Sequence, residues 1–121
     1  MTDQNRQYPA KVKRIVDGDT IDLEVDLGFG VRKSIRMRLS GVNTDEVFGV
    51  SHDSEEFQKG IDQKKFVADL IPEGSSVILV DRGETGKYGR HLGDILVGDR
   101  LLSEQILEQF DYLEEDYGES W

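Results

Sequence analysis

Three runs of alternating apolar and charged residues, separated by glycine-bearing turns, decide most of what this chain can fold into. From Tyr8 to Asp17, the residues Ala10, Val12, Arg14 and Val16 share one face, and Lys11, Lys13 and Ile15 share the other. Asp17-Gly18-Asp19 is a turn signal of the Asp-Gly hairpin type. Ile21, Leu23, Val25 and Leu27 then stand opposite Asp22, Glu24 and Asp26. After Gly28-Phe29-Gly30, the residues Val31, Ile35, Met37 and Leu39 alternate with Arg32, Ser34, Arg36 and Arg38. A period of two predicts strands with one buried face. Short turns between them predict an antiparallel meander.

The rest of the chain changes period. Gly41 to Asp53 keeps none and reads as a long loop, a length often tied to function. Ser54 followed by Glu55 and Glu56 supplies a helix N-cap and an acidic first turn. Phe57, Ile61, Phe66, Val67, Leu70 and Ile71 fit a helix ended by Pro72-Glu73-Gly74. Ser76–Val80 and Leu92–Val97 read as strands, with a polar stretch from Asp81 to Gly89 between them. Gly98-Asp99 turns into a second helix carrying Leu102, Ile106 and Phe110, with Ser103 as its cap. The expected fold is α+β and mainly β, a five-stranded OB-like barrel with a helix between the third and fourth strands and a second helix at the end. The expected division is a flexible N-terminus over 1–7, a barrel domain over 8–110 and an acidic tail over 111–121.

Composition removes several chemistries. Cysteine is absent, so disulfides, thiolate metal sites and a cysteine nucleophile are excluded. His52 and His91 are the two histidines, too few for a tris-histidine zinc site. Both read as structural or exposed, as does Trp121. Any metal must rest mainly on oxygen ligands. The polar start Met1-Thr2-Asp3-Gln4-Asn5 does not resemble a signal peptide, and no apolar run approaches the ~18 residues of a membrane span. The expectation is a soluble, cytoplasmic protein without a membrane partner.

The net charge of −10 is unevenly spread. Residues 1–50 carry 8 basic and 8 acidic residues, and residues 51–100 carry 7 and 10. Residues 101–121 carry 7 acids and no Lys or Arg. An acidic chain ordinarily argues against nucleic-acid binding, but here the excess lies away from the candidate arginines. The tail is expected to be helical to about Phe110 and mobile beyond Leu113, a solvated face with a frayed end; the sharper reading makes it an electrostatic competitor for a basic surface or a contact for a basic partner.

Four clusters carry chemistry. Asp19 and Thr20 open the second strand, Arg38 ends the third, Asn43-Thr44-Asp45-Glu46 begins the loop, and Lys87-Tyr88-Gly89-Arg90 enters the fifth strand. Carboxylate, amide and hydroxyl oxygens suit a hard cation, and guanidinium groups match phosphate oxygens. A metal with two arginines around one point is the composition expected of phosphodiester cleavage, where charge builds on oxygens bound to phosphorus. Taken singly, each residue has a plainer reading. Asp19 is then a turn-stabilising acid, Arg38 and Arg90 surface residues of strands, Glu46 a solvated loop acid, and Tyr88 a packing aromatic.

Three segments taken together resemble the staphylococcal nuclease (thermonuclease) family. They are Val16-Asp17-Gly18-Asp19-Thr20-Ile21, the stretch Met37-Arg38-Leu39-Ser40-Gly41-Val42-Asn43-Thr44-Asp45-Glu46, and Lys87-Tyr88-Gly89-Arg90-His91-Leu92. They occur in the family's order at compatible spacing, from about Ala10 to about Gln109. The resemblance implies a calcium-dependent phosphodiesterase that cuts DNA or RNA, single-stranded or frayed, leaving 5′-hydroxyl and 3′-phosphate ends. It assigns metal binding to Asp19, to Asn43 and to the backbone carbonyl of Thr44. It assigns the attacking water to Glu46, the scissile phosphate to Arg38 and Arg90, and a neighbouring phosphate to Lys87 and Tyr88. Arg38→Ala or Arg90→Ala is then expected to nearly abolish cleavage and leave the fold intact.

The chain departs from the family in three places. Asn43 stands where an aspartate is usual, and Asp45 where a proline is usual. The family's long C-terminal helix is expected to be missing or replaced by the acidic tail. The competing expectation is a non-catalytic OB-type module that binds nucleic acid or protein. The joint presence of Asp19, Arg38, Glu46 and Arg90 favours the enzyme.

Overall fold

A computed structural model describes residues 6–42, 44, 54–85, 91–113 and 115–116. Five long strands make the barrel: β1 (Arg6–Asp17), β2 (Thr20–Gly28), β3 (Val31–Leu39), β5 (Ser76–Thr85) and β6 (His91–Val97). They run antiparallel in the order β3-β2-β1-β5-β6. A parallel ladder between β3 and β6, with Met37 opposite His91, Arg38 opposite Leu92 and Leu39 opposite Gly93, closes the sheet on itself. The fold is an OB-like closed barrel with two helices, as the alternation predicts. Short strands β4 (Gly41–Val42), β7 (Arg100–Leu101) and β8 (Glu115–Asp116) complete the sheets.

β2 and β3 keep their predicted faces except near the hairpin, where Leu27 and Val31 are exposed, and at Arg38, which is buried. Ile21, Leu23, Met37 and Leu39 are fully buried inside the barrel. The outer face pairs opposite charges across strands: Lys11 with Glu24, Arg14 with Asp22, Asp22 with Arg36, and Asp26 with Arg32. Arg36 grips Asp22 with two bonds, Nε to Oδ1 at 2.8 Å and Nη2 to Oδ2 at 3.1 Å. In this ladder four of the eight strand cations in the neutral first half of the chain stand opposite anions.

β1 departs from the predicted alternation. Its register slips between Val12 and Arg14, so one extra residue enters the strand. Ile15 therefore points to the core and Arg14 to solvent, the reverse of the expectation from period two. β1 also begins earlier than expected. Arg6 and Gln7 pair with Asp81 and Val80. The polar stretch after Val80 is strand as far as Thr85.

Helix α1 (Glu55–Leu70) starts as predicted, with the Ser54 hydroxyl accepting from the Phe57 N–H at 3.0 Å. Its buried face differs. Gly60, Gln63 and Val67 turn inward, whereas Phe57 and Ile61 are only half-buried. Helix α2 (Leu102–Gln109) begins at Leu102, so Ser103 is not its cap but its second residue. Beyond Leu113, β8 pairs with β4, with Gly41 opposite Asp116 and Val42 opposite Glu115. The acidic segment expected to be mobile thus forms backbone pairs there. Among the described residues no helix follows α2, and none is long and apolar enough to cross a membrane.

Candidate active site

Asp19 sits at the β1–β2 turn, one residue before β2 begins. Its neighbour Gly18 has no positive φ, unlike the glycine of the Asp-Gly hairpin type. Glycine is needed there for space. A Cβ on Gly18 would lie 3.0 Å from Thr44 Cγ2 and 3.3 Å from Gln63 Cβ. The turn, the segment after β4 and helix α1 therefore meet at a point that admits no side chain.

Around that point three predicted residues converge. Asp19 Oδ1 accepts from the Thr20 hydroxyl at 3.0 Å, and Oδ2 accepts from the Thr44 N–H at 2.9 Å. Arg38 Nη1 lies 3.3 Å from the same Oδ2, and the two side chains are 7% and 9% exposed. The same Nη1 donates to the carbonyl oxygens of Leu39 at 2.9 Å and Val42 at 2.8 Å. The Asp19 carbonyl oxygen accepts from the Leu39 N–H at 2.8 Å. The end of β3, strand β4 and the β1–β2 turn are thereby bound into one unit. Arg38 is no surface residue; its burial makes it part of the fold as well as of the site, against the expectation that Arg38→Ala leaves the fold intact.

The donor set fits a hard cation. Asp19 offers a carboxylate, and Thr44 Oγ1 is a buried hydroxyl oxygen with no hydrogen-bond partner among the described residues. Both are oxygen ligands of the kind calcium takes. Among the described residues no group of three or more His, Asp or Glu side chains forms a metal centre. Asn43 and Glu46 lie outside the described residues, as do Lys87, Tyr88 and Arg90. The segment 86–90 is bounded by Thr85 and His91, which pair with each other, and His91 and Leu92 lie beside Met37 and Arg38.

A second buried polar cluster went unread in the sequence. Asp94, fully buried on β6, accepts from the Ile95 N–H at 2.9 Å and the Ser103 N–H at 3.2 Å. The Ser103 hydroxyl also donates to it, and Arg82 Nη2 stands 3.8 Å away. Burial pushes the Asp94 carboxyl above the ordinary aspartate range, although the Ser103 and Ile95 bonds and Arg82 pull the other way. α2 has no side-chain cap of its own, and Asp94 supplies one from the neighbouring strand. A lone acid in an otherwise apolar strand was the signal that could have found it. Its role is structural.

Compared with family models and with curated proteins, the chain gives no match.

Proposed function

We propose that this chain is a metal-dependent nuclease, hydrolysing phosphodiester bonds of DNA or RNA to 3′-phosphate and 5′-hydroxyl ends. The observation that carries this reading is the buried Asp19–Arg38 pair, with the Thr44 hydroxyl oxygen unpartnered among the described residues beside it. A carboxylate, a hydroxyl and a guanidinium at one end of an OB-like barrel combine cation ligands with a phosphate clamp. In this reading Asp19, Asn43 and Thr44 hold calcium, which supplies Lewis-acid polarisation of the phosphate oxygens when bound. Arg38 and Arg90 bind the scissile phosphate and offset the charge that builds on it. Glu46 orients the attacking water or takes its proton. Lys87 and Tyr88 hold the next phosphate.

The pair as it stands also has a reading without catalysis. Both Asp19 oxygens already have partners in Thr20, Thr44 and Arg38, as a purely structural cluster requires. A non-catalytic OB-type binding module would keep that cluster and cut nothing. The deciding experiment incubates the pure protein with a labelled single-stranded DNA and calcium, then repeats it with excess chelator. Cleavage that stops with chelator supports the nuclease. Equal cleavage under both conditions, or none with calcium, overturns it. In the same preparation, Asn43→Asp should tighten calcium binding in titration calorimetry, because ligand charge sets calcium affinity.

A further inference from the structure

Strand β3 is paired unevenly on its two edges. β2 pairs with it along residues 31–38. On the other edge β6 meets only Met37, Arg38 and Leu39. Among the described residues, the stretch 31–36 therefore has no ladder partner on that edge. Beyond the seam β3 and β6 part, with Leu27, Lys33 and Ile35 on one side of the gap and Leu79 and Leu92 on the other. The face that the alternation prepares for a core is left uncovered there. Leu27 is 43% and Val31 51% exposed, and Ile35 is half-buried. The outer face of the same stretch carries Arg32, Ser34 and Arg36, all exposed.

We propose that this open edge of β3 receives an extended peptide of a partner protein as an added strand, with apolar and acidic residues in alternation. The proposal goes beyond the nuclease reading and needs no cleavage. A row of unpaired backbone N–H and C=O groups is a template for another strand, which fixes the occupant's conformation. Alternate side chains of that strand face two ways. Those on the inner side lie against Leu27, Val31 and Ile35, and so are apolar. Those on the outer side lie beside Arg32 and Arg36, and so are acidic. Arg36 uses Nε and Nη2 on Asp22, and a guanidinium has a further donor for a second carboxylate. With Lys33, the stretch 31–36 holds three cations and no anion. Charges on an edge guard it against other sheets, but this guard attracts a strand of opposite sign. It also excludes a second copy of this chain, since edge on edge would set Arg32, Lys33 and Arg36 against themselves, and like charges opposed across a ladder are destabilising.

The test uses the full chain and a short labelled peptide alternating valine and glutamate, followed by fluorescence anisotropy. The peptide should bind, and one of the same composition with its valines and glutamates in separate blocks should bind roughly tenfold more weakly. Two N-methylated forms probe the ladder in the unsubstituted protein, one methylated at its valines and one at its glutamates. Residues of one parity turn their N–H groups towards β3 and the others turn them away. One form should therefore lose binding and the other keep it. The double variant Arg32→Glu, Lys33→Glu should bind the valine–glutamate peptide roughly 5- to 100-fold more weakly and prefer a valine–lysine peptide. An alternating peptide that does not bind, or equal binding by the two methylated forms, overturns the added strand. An unchanged preference in the charge-reversed variant overturns the acidic partner. Charge reversal that weakens binding of single-stranded DNA and leaves the peptide bound assigns the edge to nucleic acid and overturns the proposal. Peptide binding by a protein that cuts nothing with calcium supports the added strand and overturns only the nuclease.

Discussion

Removing the Arg38 side chain leaves the Asp19 carboxylate buried with one fewer counter-charge. Breaking a buried pair by deleting one partner costs about 3–5 kcal/mol, and here the carbonyls of Leu39 and Val42 lose a donor as well. Arg38→Ala should therefore lower urea-unfolding stability by about 3 kcal/mol or more. Under the nuclease reading, cleavage by the fraction that remains folded should fall at least ~10²–10³-fold, as for loss of one transition-state donor. Loss of activity with unchanged stability would mean that the pair is not buried as described. Asp94 gives a pH test of opposite character. Its folded pKa is raised, so its contribution to stability is complete below the unfolded value of 3.8 and is lost as pH rises through the folded value. Asp94→Asn cannot titrate. The stability of the unsubstituted protein relative to Asp94→Asn should accordingly shrink as pH rises from about 4 towards neutrality, measured by denaturant unfolding at each pH. A difference that does not change with pH would place Asp94 outside the low-dielectric core.

At the scale of elements, the β2–β3 hairpin carries a visible mismatch between residue and conformation. Gly28 pairs with Val31, leaving a two-residue loop of Phe29 and Gly30 with φ of 58° and 75°. Positive φ at both positions is the type I′ turn, which favours Asn-Gly. Phe29 is 104% exposed, so it buries nothing in return for its left-handed backbone. Phe29→Asn should raise stability by about 1 kcal/mol and the Tm by a few degrees, read by calorimetry. A lower Tm would show that the ring packs in solution. What the sequence disclosed at this scale follows the same logic of period and backbone. β2 and β3 alternate as read over residues 21–25 and 35–37, but Leu27 and Val31 beside the hairpin are exposed and Arg38 is buried. β1 was not legible in this way, because the extra residue near Lys13 leaves no mark in composition while it swaps the faces of Arg14 and Ile15. α1 was placed correctly but turned wrongly. Gln63 turns inward beside Gly60 because the helix comes close to Gly18 at Gln63 and because Gln63 donates to the Tyr112 hydroxyl at 2.9 Å. Neither reason is hydrophobic.

For the molecule as a whole, the barrel was legible from the order of its elements, whereas the path of the tail was the least legible feature, since it depends on contacts between distant segments. No local period announces the parallel seam of β3 and β6. Nor does an acidic run announce a strand. Yet Glu115 and Asp116 pair with Val42 and Gly41, the strand whose carbonyl at Val42 accepts from Arg38 and whose continuation carries Thr44. The acidic segment thus reaches the candidate site by its backbone, with Glu114, Glu115 and Asp116 adjacent in sequence. Under the nuclease reading, these charges repel an incoming phosphate strand, within a Debye length of ~10 Å at 0.1 M salt. Ending the chain after Leu113 keeps Tyr112, which contacts Gln63 and stacks edge-on with Phe110, and among the described residues removes the short β4–β8 ladder. The shortened protein should unfold within ~1 kcal/mol of the full chain. It should bind single-stranded DNA several-fold more tightly at low salt. Near about 0.5 M salt, where screening shortens the reach of exposed charges, the two proteins should bind alike. Equal affinities at low salt would show that the tail's charges do not face the strand. A shortened protein that unfolds would show that β8 closes the barrel end as a structural strand, not as an electrostatic screen.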